Sequence, residues 1–191
     1  LILLTFGIYH LNQEQRAISQ QMSKREKHFR EHRLFDKLTP LGAAEYLRQQ
    51  VQRALSQARE DEQPLSLVAV DLDDFAAINH RYGPAEGDAV LQAVAQLLLL
   101  NLRRHDLLCR LAGDRFVALL PNTGERQAQT IAGELEAAVA SLAHRTSRHG
   151  ERLHLHATSS ALMAVDENAD ELLQALNLRL AGAKQTLPRC A

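Results

Sequence analysis

The stretch at residues 106–121, DLLCRLAGDRFVALLP, decides how this chain is read. Two apolar runs flank Ala112-Gly113-Asp114-Arg115. Gly and Asp between such runs commonly reverse the chain, so the stretch predicts a β-hairpin with Gly113 and Asp114 at its tip. The turn needs no arginine. Arg115 sets a fixed cation beside an acid, and its meaning depends on what the fold brings to the same tip.

Outward from the hairpin, the chain supplies what such a pair of strands needs in order to be buried. Residues 64–75, PLSLVAVDLDDF, hold a short apolar run closing on acids, the pattern of a buried strand that ends at a site. Residues 86–106 read as a helix with an apolar face, and residues 43–62 as another, with Leu47, Val51 and Leu55 on one side. Residues 124–145 read as a helix that Gly133 weakens modestly. At residues 151–165, Leu153, Leu155 and Ala157 alternate with Arg152, His154 and His156, which is strand spacing. Residues 169–184 close the series as a helix. The order α-β-α-β-β-α-β-α predicts an α/β sandwich, with helices against a mainly antiparallel central sheet.

The totals bound the class. At 191 residues, with 46% hydrophobic and 24% charged, the chain has the composition of one globular domain plus appended structure. A net charge of −1 gives no drive toward nucleic acid, which is not expected as a partner. Cys109 and Cys190 stand far apart, which argues against zinc or a disulfide framework and fits a reducing compartment. Cys109 lies within an apolar run and reads as a small buried hydrophobe.

Before the domain comes a different region. Residues 1–8, LILLTFGI, are apolar but too short to span a bilayer. They read as the tail of a membrane helix (residues 1–10), a buried helix end or a remnant of processing. In residues 11–35, six Lys/Arg face three acids, an excess typical of the cytoplasmic side of a membrane helix, and this favours the first reading. The expected location is the cytoplasmic face of an inner membrane. Residues 11–35 lack Pro and Gly, and Ile8, Leu11, Gln15, Ile18, Met22, Arg25, Phe29 and His32 recur at heptad spacing. Two readings stand side by side: a lone amphipathic helix lying on the domain, and a parallel helix pair that makes a homodimer and carries a signal. DKLTPLG, residues 36–42, punctuates the boundary to a domain at 36–191.

Chemistry concentrates at the strand end. Asp71, Asp73 and Asp74, joined by Asp114 from the hairpin tip, are oxygen donors of the kind that hold Mg²⁺ alongside phosphates. Acids at strand ends are equally at home in plain turns, and spacing leaves both readings open. Asn79 and Asp88 have the groups to read a purine edge, though both residue types also suit loops. His154 and His156 share a strand face without a third ligand in view, and read as solvated.

Several motifs in one order make a resemblance specific. DKLTPLG resembles DxLTGLxNR, and DLDDFAAINHRYGPAEGD (71–88) resembles DxDxFKxxNDxxGHxxGD. RRHDLLCRLAGDRF (103–116) resembles RxxDxxxRxGGDEF at matching spacing, and AGAK (181–184) resembles a final AxxAK. Over residues 36 to the end, the chain resembles the GGDEF domain of the diguanylate cyclases. That resemblance implies a nucleotidyl-cyclase-like α/β fold whose active members pair two GTP-loaded domains and condense the nucleotides to cyclic di-GMP. It implies Mg²⁺ as the cofactor, held by Asp71, the Leu72 carbonyl and Asp114. It further implies guanine at Asn79 and Asp88, phosphates at Lys184, and Phe75 within the nucleotide site.

The departures carry as much weight. The signature reads Ala112-Gly113-Asp114-Arg115-Phe116, so Arg115 replaces an acid beside the metal, a reversal of two charge units. Ala112 replaces a glycine, mild if its φ stays negative. Ala76 stands for a phosphate-contacting lysine and Pro84 for a histidine. Pro40, Ala43 and Ala44 replace Gly, Asn and Arg. Arg103 and Asp106 match the RxxD of the family's inhibitory site, where Arg pairs with guanine or phosphate and Asp accepts from guanine. The family's second inhibitory arginine aligns with Glu134. The expectation is a catalytically degenerate regulatory module that binds GTP or cyclic di-GMP. Its alternatives are an active cyclase that tolerates Arg115 and a nucleotide-free docking domain. A phosphodiesterase domain or a regulatory protein is the expected neighbour.

Overall fold

The computed structural model describes residues 34–148 and 150–186. The expected membrane-helix end at 1–10, the heptad helix up to residue 33, and Cys190 lie outside the described residues. Among the described residues, no helix is long and apolar enough to cross a membrane.

Helix α1 (Ala44–Glu60) leads into strand β1 (Leu65–Leu72). A short helix α2 (Phe75–Tyr82) and a long α3 (Pro84–Leu100) follow. The hairpin β2 (Leu107–Ala112) and β3 (Arg115–Pro121) precedes α4 (Glu125–Ser141). A two-residue pair, β4 (His144–Arg145) and β5 (Arg152–Leu153), comes before β6 (Ala157–Met163) and α5 (Ala169–Thr186). The sheet order is β2-β3-β1-β6, and every neighbouring pair is antiparallel. The expected α/β sandwich is therefore the fold.

Strand β1 runs through the middle of the sheet with all eight residues buried, because helices cover both faces. Alternate side chains divide between them. Val68, Val70 and Leu72 pack with Val90, Val94 and Leu98 of α3 and Leu135 and Val139 of α4. Leu65, Leu67 and Ala69 pack with Leu47, Val51 and Leu55 of α1 and Leu172, Leu176 and Leu180 of α5. Each fully buried aliphatic side chain stabilises the fold by about 1.5–3 kcal/mol. Double coverage explains why the sequence shows a continuous apolar run here and not an alternation.

Three local readings need correction. The helix read over 124–145 ends at Ser141, and His144–Arg145 is strand β4. The predicted strand at 151–165 is broken: Arg152–Leu153 pairs with His144–Arg145, and β6 starts only at Ala157. The alternation still holds across the break, since Leu153 and Leu155 are buried and His154 and His156 exposed. The helix read at 86–106 is present as the single helix α3, but it begins two residues earlier and ends six residues sooner. Gly83, at φ +91°, closes α2 and Pro84 opens α3 in the first-turn position proline favours, while α3 stops at Leu100 and leaves Arg103–Asp106 in a turn.

The leading segment is strapped to the hairpin. Asp36 accepts hydrogen bonds from the Thr39 amide and hydroxyl, each at 2.7 Å, and from Arg110 Nη1 at 2.9 Å. The Arg110 amide donates to the Gly42 carbonyl at 2.9 Å. Gly42 is required there, because a Cβ would lie 2.9 Å from Cys109 Sγ and collide with Tyr46. Cys109 is wholly buried, as expected, and burial pushes its thiol up to about 12.

Candidate functional site

The antiparallel register places Asp71, near the end of β1, directly opposite Arg115, the first residue of β3. Odd-numbered positions on both strands face α1 and α5, so the two side chains meet on the α5 side. Arg115 donates from Nε at 3.0 Å and from Nη2 at 2.8 Å to Asp71 Oδ2. Its Nη1 donates to Asn177 Oδ1 on α5 at 3.3 Å. The Lys184 ammonium donates to Asp71 Oδ1 and approaches the Leu72 carbonyl at 3.5 Å. Each oxygen of a carboxylate that is 5% exposed thus carries a cationic donor.

The remaining acids divide. Asp73 accepts from Thr158 Oγ1 at 2.8 Å and lies 3.9 Å from Lys184 Nζ. Asp74 is exposed and sits at φ +53°, the left-handed residue that opens α2. Asp114, at the tip, feels both burial and the charge of Asp71, which raise its carboxyl above the ordinary range. Ala112 keeps a negative φ, so the missing glycine costs the hairpin nothing, whereas Gly113 uses its freedom at φ +58°. Among the described residues, no group of three or more His, Cys, Asp or Glu forms a metal-ready cluster.

The purine-reading pair comes from α2 and α3. A Cβ at Gly87 would collide with Asn79 Oδ1, so the glycine lets Asn79 lie against the first turn of α3, next to Asp88. Asn79 is half-buried and Asp88 exposed. Phe75 is buried, and its ring tip would stand 3.1 Å from that same Cβ, so it supports Gly87 from the core. Ala76 is exposed on the first turn of α2.

Arg103 and Asp106 share a closed turn between α3 and β2. Asp106 Oδ2 accepts from the Arg103 amide at 2.8 Å, and the Asp106 amide donates to the Arg103 carbonyl at 3.1 Å. Asp106 Oδ1 is buried without a hydrogen-bond partner and lies 3.8 Å from His105 Nε2. Asp106 lines a cavity of about 410 Å³ between α1 and the hairpin, with Tyr46, Gln50, Arg53, Gln57 and His105. The Arg103 side chain is exposed. Glu134, on α4, is exposed as well.

A four-stranded antiparallel sheet between helix pairs, with acids at the end of its central strand and at a hairpin tip, defines a nucleotidyl-cyclase-like α/β domain. The family model described as "Diguanylate cyclase, GGDEF domain" matches residues 33–188, and the chain belongs to that family, which works in cyclic di-GMP signalling. The probable diguanylate cyclase DgcE of Escherichia coli is 32% identical over 86% of this chain and 14% of its own. A truncated TpbB of Pseudomonas aeruginosa comprising only the GGDEF domain is 30% identical, covers 80% of this chain and 90% of its own, and superposes with a TM-score of 0.76. The GGDEF domain of DgcB from Caulobacter crescentus, solved with cyclic di-GMP, shares the fold at 21% identity and a TM-score of 0.75, over 80% of this chain and 90% of its own. The chain spans about a fifth or less of the length of the first curated relatives it matches. Diguanylate cyclases of this family typically use Mg²⁺ with GTP.

The sequence reading missed Asn177 and Thr158, which hold Arg115 and Asp73. A signal existed for Asn177: it precedes Lys184 by seven residues, and that interval puts both on one face of α5, two turns apart. Thr158 lies opposite Asp71 across the β1–β6 ladder, a pairing visible only once the register is known.

Proposed function

We propose that this domain is a catalytically degenerate GGDEF module that regulates by binding GTP or cyclic di-GMP and does not make the second messenger. The observation that carries the reading is the ion pair of Arg115 with Asp71, whose register-enforced contact sets a cation on the carboxylate expected to serve the metal. Transition-state stabilisation in phosphoryl transfer depends on cations placed at the reacting phosphates, and an arginine paired to the ligand carboxylate cannot substitute for a bridging metal.

The nucleotide-binding half of the proposal draws on two places. Asn79, seated by Gly87 beside Asp88, offers amide and carboxylate to a guanine edge. Asp106 keeps an unpartnered acceptor beside a cavity, which suits the guanine of cyclic di-GMP, with Arg103 reaching its phosphate or base. With Glu134 where a second arginine would stand, that site binds weakly alone. Residues 1–35 would anchor a homodimer at the cytoplasmic face of a bacterial inner membrane, next to a phosphodiesterase domain or a regulatory protein partner. Incubation with GTP and Mg²⁺, followed by chromatography, tests the central claim. No cyclic di-GMP is expected, and product that disappears in Asp114→Ala would overturn the reading.

A further inference from the structure

We infer that Arg115 and Lys184 have taken the place of the divalent ion on Asp71, so that the centre excludes Mg²⁺ and a guanine nucleotide is held there by its base, with no gain from the metal. The second half rests on the nucleotide-binding reading above; the first does not.

The geometry carries the exclusion. Mg²⁺ demands oxygen ligands at about 2.0–2.1 Å in near-ideal octahedral order. Of the three donors the motif offers, Asp71 carries Arg115 on one oxygen and Lys184 on the other, and the Leu72 carbonyl faces the same ammonium at 3.5 Å. Only Asp114 is left. Arg115 has a third contact, to Asn177 at 3.3 Å, which links it to α5 as well as to β1. A divalent ion entering here meets two cations on the carboxylate it needs, and like charges at contact distance repel.

Charge then decides the ligand. Asp71, Asp73 and Asp114 against Arg115 and Lys184 leave a sum of −1. A triphosphate arriving without metal gains no net attraction from such a centre, whereas the Asn79–Asp88 pair recognises the base without regard to phosphate number. Binding should therefore ignore Mg²⁺ and show no preference for GTP over GDP.

Titration of Mn²⁺, followed by the electron paramagnetic resonance of the free ion, tests the exclusion on the protein without nucleotide. The whole chain should leave Mn²⁺ free into the millimolar range. Arg115→Glu, which changes the local sum from −1 to −3, should bind one Mn²⁺ per domain, and adding Asp71→Asn should abolish that binding. Arg115→Gln, which removes the cation without adding an acid and takes the local sum to −2, guards against misfolding of the glutamate variant and should gain weaker binding. Stoichiometric Mn²⁺ binding by the parent that Asp71→Asn removes would overturn the inference. So would failure of both Arg115 variants to gain the ion while their circular-dichroism melts match the parent. Calorimetry with GTP and GDP, each in Mg²⁺ or in EDTA, tests the base-held half: affinities should agree within about threefold. A tenfold gain for GTP on adding Mg²⁺ refutes it. Absence of all guanine-nucleotide binding refutes the nucleotide reading instead, and leaves the Mn²⁺ result to decide the exclusion.

Discussion

Arg115 shows how one side chain takes its meaning from the strand opposite it. In isolation it is a basic residue after a turn; paired across the ladder with Asp71 it is the counter-charge of a buried acid, which would otherwise be costly to keep ionised. Arg103 and Asp106 are legible in sequence as a motif, but the structure adds that they are unequal. Asp106 is 1% exposed at its side chain and closes its own turn, while Arg103 is free to reach outward. Loss of a bidentate arginine contact costs about 1–3 kcal/mol. Arg103→Ala should therefore weaken cyclic di-GMP binding roughly tenfold, near the middle of that range, and leave GTP binding alone. Equal affinity in parent and variant, measured calorimetrically, would place cyclic di-GMP elsewhere.

At the scale of elements, the four long helices were readable because each has one apolar face and sufficient length to show its period. Helix α2 was not, being eight residues wedged between a left-handed Asp74 and Gly83, too short for periodicity to speak. Its only announcement was the Gly-Pro step. The β4–β5 pair was invisible for the same reason, and it holds through a partner in another element. Glu86, on α3, accepts from the Ser147 amide at 2.9 Å and pairs with His144 at 2.8 Å. The helix expected from the sequence at 11–35 falls, up to residue 33, outside the described residues, and both its existence and its role are proposals. If it forms the parallel pair, Ile18, Met22 and Phe29 supply the apolar contacts, while Gln15, Arg25 and His32 keep the seam weak. The dimer should dissociate on dilution, and Ile18→Asp should give monomer throughout by burying an unpaired charge. Sedimentation of the parent against a chain beginning at Phe35 checks this; a single shared species would remove the helix from assembly.

The molecule as a whole is a sheet clamped between two helix layers, and the leading segment is tied in by charge. Burial alone would raise the Asp36 carboxyl, but hydrogen bonds from the Thr39 hydroxyl and amide and from Arg110 outweigh it and hold the group below its ordinary value of 3.8. A carboxyl depressed in the folded state contributes stability above its unfolded value and loses it as pH falls through the folded one. Asp36→Asn should thus cost about 1.5–3 kcal/mol at pH 7 and progressively less below pH 4. Urea unfolding at pH 7 and pH 3 measures the difference, and an equal loss at both would show that the charge is not what matters. The class of fold, the long helices, the hairpin and the family are legible along the chain, because periodicity, turn residues and motif spacing are properties of neighbours in sequence. The sequence also exposes Arg115 as a departure. What Arg115 touches is visible only in three dimensions, since the Asp71–Arg115 register and the reach of Lys184 and Asn177 from α5 are contacts between residues far apart in sequence. Strand register and helix docking fix such contacts, and they are set by the packing of the whole core and not by any local pattern.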